Sequence, residues 1–252
     1  MKNASYDEKA REWVKRMRSG NNHAHRYLEK PAMYAKLPPL KGKTVLCIGC
    51  GSGEECEYLF KRGAKKVVGI DTSKELIVIA RESYPHMEFY VQDMRTMQFP
   101  DASFDFVYSS LAMHYLPHWQ STLTKIHRLL RPRGTFLFST HHPVYWSAEI
   151  IHTKGDKSRL LGYQKQSGRL KKIYGNYQER RRIDDIWFGD MPVSYYHKPL
   201  SEIFREIRNA GFMVEDFIEP KPKASLQKVD ADNYALYRHI PLFMIFELKK
   251  RK

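Results

Sequence analysis

The sequence has little cysteine and no long apolar run, and both absences narrow the class of protein. Three of the 252 residues are cysteines, Cys47, Cys50 and Cys56. This small, odd number argues against a disulfide-stapled secreted domain and favours a reducing compartment. No stretch reaches the 18 apolar residues of a membrane-spanning helix, and the N-terminal residues lack the apolar core of a signal peptide. We therefore expect a cytoplasmic protein that does not cross a membrane.

Acidic residues are scarce relative to basic ones. The 43 lysines and arginines exceed the 28 aspartates and glutamates, which gives a formal net charge of +15. Such an excess attracts polyanions at long range, although it also serves solubility alone. The composition therefore leaves a nucleic-acid partner open without requiring one.

Short apolar runs alternate with helical segments from residue 43 onward. The pattern predicts strands at residues 43–48, 66–70, 88–91, 104–108 and 135–139, with helices at 54–62, 74–83 and about 119–130. A helix at 199–210 and strands at 212–218 and 241–248 follow. Strands that alternate with helices of this length imply parallel crossovers and a doubly wound α/β sheet.

Two segments lie outside this alternation. Residues 6–17 and 25–35 have helical spacing, and we interpret residues 1–40 as an N-terminal lid or brace on a domain of residues 41–252. Residues 141–198 form an insert on the substrate side, rich in Lys, Arg, Tyr and Gly and with little periodicity. A segment of that length without regular structure is usually a functional or disordered loop.

A glycine-rich turn joins the first predicted strand to the first helix. It reads Gly49-x-Gly51-x-Gly53, and Asp71 follows Gly49 by 22 residues at the end of the second strand. Such a turn lets backbone approach a nucleotide, and the acid accepts hydrogen bonds from ribose hydroxyls. Glu54 and Glu55 directly after the turn would repel a pyrophosphate, which disfavours a dinucleotide-dependent dehydrogenase. They suit a phosphate-free cofactor with a positive sulfonium.

Five motifs in this order resemble those of class I S-adenosylmethionine-dependent methyltransferases, most closely the small bacterial type 11 and quinone-biosynthesis-like enzymes. They are residues 45–53, 68–73, 92–94, 104–111 and 130–134. The resemblance implies a Rossmann-like, mostly parallel seven-stranded sheet with an antiparallel last strand. It also implies S-adenosylmethionine as cofactor and S-adenosylhomocysteine as product. The cofactor-binding residues that it implies are Gly49, Cys50, Gly51, Gly53, Asp71, Thr72, Asp93, Met94, Ser109 and Ser110.

Cys47 departs from the family pattern. The resembling enzymes usually have an acid two residues before the first glycine, which helps to hold the amino group of the cofactor. A thiol carries no stable negative charge unless its pKa is strongly lowered. The sequence therefore predicts that backbone carbonyls or Glu54 hold this amino group, and that Cys47 and Cys50 are packing residues rather than metal ligands. A non-catalytic S-adenosylmethionine-binding protein stays an alternative.

Candidate acceptor-side residues follow strands four and five, at the edge where doubly wound folds bind substrates. His114 and His141 are the candidate catalytic residues because histidine transfers protons near neutral pH. The remaining substrate-side candidates are Tyr115, His142, Tyr145, Trp146, Trp187 and Tyr196.

The insert is strongly basic. Between residues 151 and 182 only Asp156 and Glu179 oppose ten cations, and three tyrosines are interleaved with them. Basic groups with aromatics suit RNA, tRNA in particular, but charge runs are also common on solvated lids. We favour methyl transfer to a small or medium-sized metabolite and keep an RNA methyltransferase as the alternative. The ten cations are Lys154, Lys157, Arg159, Lys165, Arg169, Lys171, Lys172, Arg180, Arg181 and Arg182.

Overall fold

The computed structural model describes residues 4–153, 156–187 and 189–250. Within these ranges no helix is both long enough and apolar enough to cross a lipid bilayer. The helices are α1 (Ala4–Glu8), α2 (Ala10–Ser19), a π-helix (His25–Glu29), α3 (Lys30–Ala35), α4 (Glu54–Lys61), α5 (Lys74–Ser83), a 3₁₀ turn (Met113–Tyr115), α6 (Gln120–Leu129), α7 (Pro143–Trp146), α8 (Leu200–Asn209), a second 3₁₀ turn (Ala224–Lys228) and α9 (Ala231–His239). The strands are β1 (Thr44–Ile48), β2 (Lys66–Asp71), β3 (Glu88–Val91), β4 (Phe104–Ser109), β5 (Leu130–His141), β6 (Glu149–Thr153), β7 (Asp156–Leu160), β8 (Gly162–Gln166), β9 (Arg169–Tyr174), β10 (Arg181–Trp187), β11 (Met191–His197), β12 (Phe212–Ile218) and β13 (Phe243–Lys250).

Seven strands form one central sheet in the order β12-β13-β5-β4-β1-β2-β3. The neighbours from β5 to β3 pair in parallel, and β13 runs antiparallel to both β5 and β12. The predicted Rossmann-like, mostly parallel seven-stranded sheet with an antiparallel last strand is confirmed. This order places the carboxyl ends of β1, β2 and β4 side by side.

Both faces of the sheet are covered, because side chains along a strand alternate between its two faces. On β5, Phe136 and Phe138 pack into one core together with Trp119 and Phe246. Leu137, between them in sequence, packs into the opposite core. The strands are therefore buried on both faces, as their near-continuous apolar runs predict.

Helix and strand limits agree with the sequence pattern to within a few residues in the central domain, with one clear difference. β5 spans Leu130–His141, whereas the prediction began this strand at residue 135. Leu130 pairs with Phe104, and the pairing register shifts between Phe104 and Phe106. This shift accommodates the turn-like residues that follow Leu130. Tertiary pairing therefore extends β5 through a sequence that reads as a turn.

The prediction of an irregular segment at residues 141–198 was wrong. This region forms three antiparallel hairpins, β6–β7, β8–β9 and β10–β11. Ser167 and Gly168 join β8 to β9, and both have positive φ, 50° and 77°, as a tight two-residue hairpin turn requires. The many charged residues conceal the alternation. It is regular in β11, where every second residue is buried, and in β10, where half-buried and exposed residues alternate.

Candidate functional site

A cleft of about 2390 Å³ opens at the carboxyl ends of the parallel strands. Ordinary ligand pockets measure roughly 300–1,000 Å³, so this cleft has room for two ligands side by side. We call the part around residues 49–53, Asp71, Asp93 and Ser110 the glycine end. The part around His114, Tyr115, His141, Trp146 and Trp187 is the aromatic end.

The turn at residues 49–53 is held in shape by the neighbouring strand. The N–H groups of Gly49 and Cys50 both donate to the carbonyl of Ile70, at 2.8 and 3.0 Å. Gly49, Gly51 and Gly53 all have positive φ, which only glycine adopts freely. A Cβ on Gly49 would lie 2.6 Å from the Cβ of Ala112, whereas a Cβ on Gly51 would meet no protein atom within 4 Å. Backbone at Gly51 is therefore open to a ligand.

Asp71 joins this turn to the second strand. Its Oδ2 accepts a hydrogen bond from the N–H of Gly51 at 2.9 Å, and its Oδ1 accepts one from the N–H of Ser73 at 2.9 Å. Burial raises the pKa of Asp71, and these N–H donors oppose the rise. Each carboxylate oxygen has a second lone pair for a ligand hydroxyl.

Asp93 lies at the far side of the glycine end and pairs with Arg95, whose Nε donates to both carboxylate oxygens at 3.0 and 2.9 Å. Burial alone would raise the pKa of Asp93, but the hydrogen bonds from Arg95 outweigh it and lower the pKa. Asp93 is therefore an anionic acceptor. The predicted cofactor residues that line the cleft are Gly49, Cys50, Gly51, Asp71, Thr72, Asp93, Met94 and Ser110.

Two predicted cofactor residues do not line the cleft. Gly53 precedes α4 with φ of 92°, and a Cβ there would crowd Tyr84 and Phe89. Ser109 is fully buried, and its Oγ donates to the carbonyl of Ile48 at 3.0 Å. Both residues shape the turn from behind.

The three cysteines are free and buried. Burial raises the pKa of Cys50 to about 11, so its thiol is neutral at physiological pH. Cys47, Cys50 and Cys56 pack in one apolar core beside Leu59 and Tyr108. In the described residues, no group of three or more His, Cys, Asp or Glu side chains is arranged to hold a metal ion.

A buried carboxylate that the sequence analysis missed lies behind the glycine end. Glu29, at the end of the π-helix, is fully buried, and its Oε1 accepts hydrogen bonds from Ser110 Oγ at 2.9 Å and Ser139 Oγ at 2.5 Å. Its Oε2 lies 3.1 Å from His25 Nε2. No local sequence signal marks Glu29, because Lys30 follows it directly and the segment is not an apolar run. Glu29 ties the N-terminal helices to the ends of β4 and β5.

Glu55, in the first turn of α4, also forms an ion pair with the N-terminal helices. Glu55 pairs with Lys30 at 2.9 Å, and His25 lies 3.8 Å away. Burial alone would raise the pKa of Glu55, but Lys30 and then His25 outweigh it and lower the pKa. The cleft wall beside the turn is therefore lined by an anion, as the acids after the last glycine predict.

Three planar side chains form a stack at the aromatic end. The rings of His114 and His141 lie 3.5 Å apart at 6°, and those of His141 and Trp146 lie 3.7 Å apart at 7°. Burial lowers the pKa of His114 to about 3. Burial first, and then His114 and Arg159, lower the pKa of His141 well below its usual value. Both imidazoles are therefore neutral at physiological pH.

Most predicted substrate-side residues line the cleft, and one does not. Besides His114 and His141, the cleft is lined by Tyr115, Tyr145, Trp146, Trp187 and Tyr196. His142 is buried outside the cleft: its Nδ1 accepts the N–H of Val144 at 3.2 Å, and its Nε2 lies 2.8 Å from Glu219. His142 therefore caps α7, and its assignment to the substrate side is corrected.

The N-terminal helices reach across both ends of the cleft. Tyr6 shares a hydrogen bond of 2.5 Å with the hydroxyl of Tyr115. Asp7 accepts a hydrogen bond from Ser73 Oγ at 2.6 Å, and Arg18 pairs with Glu54 at 2.8 Å. The interpretation of residues 1–40 as a lid stays a prediction, and these contacts are the ones that such a lid would release.

Comparison with known proteins decides the family. Residues 46–138 match a family model described as a methyltransferase domain. The structure of an S-adenosylmethionine-dependent methyltransferase from Mesorhizobium loti is 26% identical and superposes with a TM-score of 0.73, covering 88% of this chain and 97% of that one. This protein is an S-adenosylmethionine-dependent methyltransferase. The expected enzyme class and cofactor are confirmed.

Two curated relatives of the methyltransferase differ in the fraction of the chain over which they are similar to it. An uncharacterized protein of Haemophilus influenzae is 28% identical over 219 residues, which is 83% of this chain and 82% of that protein. Trans-aconitate 2-methyltransferase of Azoarcus is 33% identical over 103 residues, which is 40% of each chain. The second likeness spans less than half of either protein, so it carries no acceptor over to this enzyme.

Gly51 provides a test of cofactor contact in the methyltransferase. Gly51→Ala and Gly42→Ala both place a Cβ at positive φ with no protein atom within 4 Å. We expect each to lower the free energy of unfolding by roughly 1–2 kcal/mol. Only Gly51→Ala should weaken binding of S-adenosylhomocysteine, by about tenfold or more, because its methyl occupies ligand space. Calorimetric titration of both variants checks this, and equal affinities would contradict contact at Gly51.

Proposed function

We propose that this methyltransferase transfers a methyl group from S-adenosylmethionine to a small or medium-sized metabolite bound at the aromatic end. The observation that carries the proposal is the enclosure of that end by side chains from three separate segments: Tyr6 from α1, His114 and Tyr115 after β4, and Trp187 from the insert. An apolar chamber with few polar groups suits a small ligand. The Azoarcus relative, which acts on trans-aconitate, supports a metabolite within the same family.

The cofactor supplies an activated methyl group on a sulfonium. The proposed contacts are the carboxylate of Asp71 with the ribose, Asp93 with the adenine amino group, Met94 with the adenine ring, and bare backbone at residues 49–51 with the amino-acid part. The open space at Gly51 and the anion at Asp93 fit these roles. The remaining task of the protein is to align the acceptor for in-line displacement, and positioning supplies roughly 7–11 kcal/mol of the barrier in favourable cases.

His114 and His141, the candidate catalytic residues, are proposed to position the acceptor as neutral rings. A histidine with a pKa near 3, as burial gives His114, is too weak a base to remove a proton efficiently at pH 7. The stack that these rings form on Trp146 instead gives the acceptor an aromatic surface to pack against. The acceptor is therefore one that needs no deprotonation by these rings.

The neutral state of His114 predicts a pH-dependent stability. Its folded pKa of about 3 lies below the ordinary 6.5, so between these values the unfolded chain binds one proton more. The free energy of unfolding should fall as pH drops from 6.5 towards 3, by up to about 1.4 kcal/mol per pH unit. His114→Phe should show a smaller fall. Urea titrations at pH 7, 6, 5 and 4 check this, and parallel curves would contradict it.

The RNA alternative has weaker support from the insert than its sequence suggests. Lys154 lies outside the described residues. Most of the other cations have partners within the chain: Lys157 and Arg159 contact Asp185, Lys172 contacts Glu149, Arg180 contacts Glu202, Arg181 donates to the carbonyl of Ser147, and Arg182 contacts Asp184. Lys165, Arg169 and Lys171 lie exposed on the β8–β9 hairpin. Salt-sensitive, tight RNA binding would favour this alternative.

A cytoplasmic location is part of the same proposal. The three cysteines are buried as free thiols, which is the state that a reducing compartment maintains. Fractionation of cells of the source organism tests this directly.

Two assays in sequence test the proposed function. Calorimetry should detect binding of S-adenosylmethionine and S-adenosylhomocysteine, and methyl-labelled cofactor should then label a fraction of a low-molecular-mass extract rather than RNA. Cofactor binding without transfer to any fraction would favour a non-catalytic binding protein. Labelling of RNA alone would establish the RNA alternative. A protein without affinity for either cofactor form would contradict both readings.

A further inference from the structure

Two cations of the insert share one carboxylate beside the aromatic end. Asp185 accepts from Lys157 Nζ at 2.6 Å and from Arg159 Nη2 at 2.8 Å. The side chains of Arg159 and Asp185 are only 8% and 5% exposed. Their neighbours on the cleft wall, Arg182 and Asp184, neutralise each other. The cluster Lys157–Arg159–Asp185 therefore holds one positive charge in excess, with the Arg159–Asp185 pair buried and the ammonium of Lys157 exposed.

Arg159 is incompletely paired within this cluster. Its guanidinium lies over the rings of Trp146 and Tyr145, at 4.7 and 5.0 Å from their centroids, and Nη2 also approaches the hydroxyl of Tyr195 at 3.4 Å. Its Nη1 is buried without a hydrogen-bond partner. Arginine does not deprotonate in proteins, and a buried cation with an unused donor is costly unless an anion compensates it. Arg159 therefore backs the Trp146 and Tyr145 rings of the cleft wall, while Lys157 and Asp185 line the cleft itself.

The stacked rings and the phenols beside them offer no effective base to activate a protonated nucleophile. His114 and His141 are both neutral, for the reasons given above. Tyr195 and Tyr115 are buried, and burial raises the pKa of each phenol, so they hold their protons. Asp185 is occupied by its two cations. A nucleophile that is already ionised at neutral pH needs no base here.

We propose that the acceptor is a carboxylic acid, methylated on a carboxylate oxygen, and that the excess charge of the Lys157–Arg159–Asp185 cluster selects it. The inference rests on the proposed function and names the class of acceptor. The carboxylate oxygen forms a bond to the methyl carbon while the carbon–sulfur bond breaks and its electron pair passes to sulfur. The carboxylate becomes a neutral ester, the sulfonium becomes a neutral thioether, and no proton is released.

The product chemistry gives a direct test. A low-molecular-mass extract is separated by anion exchange into acidic and non-acidic fractions, and each is incubated with the enzyme and methyl-tritiated S-adenosylmethionine. Carboxyl methyl esters release volatile methanol in alkali, whereas methyl groups on carbon, on nitrogen or in ethers do not. We expect alkali-labile label in the acidic fraction. Alkali-stable label, or label confined to the non-acidic fraction, overturns the carboxylate inference and leaves the proposed function standing. No label in any fraction contradicts both.

Variants then test the role of the cluster. The substrate in these assays is an acidic fraction that accepts label, and its concentration is varied by graded dilution. Lys157→Gln removes the excess charge from a half-exposed position and leaves the buried Arg159–Asp185 pair intact. We expect it to raise the apparent KM for the acceptor about fivefold or more, with kcat and cofactor affinity within about twofold, since binding charge alone is lost. Arg169→Gln, on the exposed β8–β9 hairpin, is the matched control and should leave KM unchanged. An unchanged KM in Lys157→Gln overturns selection by the cluster.

Arg159 itself is tested by paired substitutions. Arg159→Gln should raise KM by about tenfold or more, and Arg159→Lys should recover part of that loss because it keeps the charge. Thermal melting with S-adenosylhomocysteine identifies variants that fail to fold. The reaction rate should also be flat between pH 6.5 and 8.5, since the acceptor is ionised throughout. A rate that rises with pH over this range would indicate a protonated nucleophile and overturn the inference.

Discussion

Asp71→Ala is expected to lower the affinity for S-adenosylhomocysteine by at least about 100-fold, or roughly 2.7 kcal/mol. The substitution removes the proposed ribose acceptor. It also removes the hydrogen bonds from Gly51 and Ser73 that hold the turn in place. Calorimetric titration measures the loss, and labelled methyl transfer should fall with it.

Asp105→Ala is the matched control for Asp71→Ala. Asp105 also accepts a backbone N–H across neighbouring strands, from Thr44 at 2.8 Å, and it pairs with Arg131 at 2.7 Å. It lies at the start of β4, at the opposite edge of the sheet from the cleft. We expect lower stability and unchanged cofactor affinity. If Asp71→Ala binds S-adenosylhomocysteine like the wild type, Asp71 is not a cofactor residue.

Glu29→Ala is expected to have the largest effect on stability. The substitution leaves the hydroxyls of Ser110 and Ser139 and the ring of His25 without their buried acceptor. Breaking such a network costs about 3 kcal/mol or more, which corresponds to a fall in Tm of roughly 6–12 °C for a chain of this size. Calorimetric melting without ligand measures it.

Two further variants separate the network from the loss of an acid. Glu29→Gln keeps an acceptor oxygen for the two serines and should cost less than Glu29→Ala. Glu88→Ala removes an exposed acid that pairs with Lys66 at 2.7 Å, and its effect should stay within about 1 kcal/mol because exposed ion pairs contribute little. A Glu29→Ala protein that melts like Glu88→Ala would contradict a structural role for the buried carboxylate.

The central sheet could be predicted from the sequence because its information is local. Each strand is a short apolar run, and each crossover helix has a starting or ending signal nearby, such as Ser73, whose Oγ accepts the N–H of Leu76. The glycine turn and Asp71 lie only 22 residues apart. Parallel strands bring their carboxyl ends to one edge, so most residues that line the glycine end could be predicted from the sequence.

The rest of the site depends on contacts between residues that are far apart in sequence. Glu29 acquires its role from Ser110 and Ser139, which lie 81 and 110 residues away. His142 and His141 are adjacent in sequence and point to opposite sides of one strand end, so spacing alone could not separate them. The cluster at Asp185 depends on the register of hairpins whose alternation is hidden by lysine and arginine. These contacts cannot be predicted from any periodicity in the sequence.

The place of β13 in the sheet constrains how the enzyme is made on the ribosome. This last strand lies between β5 and β12, and β12 pairs with nothing else in the sheet. While the nascent chain lacks residues 243–250, β5 is an unpaired edge that bears Phe136 and Phe138, and the preceding strand has no neighbour. Such edges favour pairing between chains. Vectorial synthesis therefore leaves this edge of β5 open until residues 243–250 have been made.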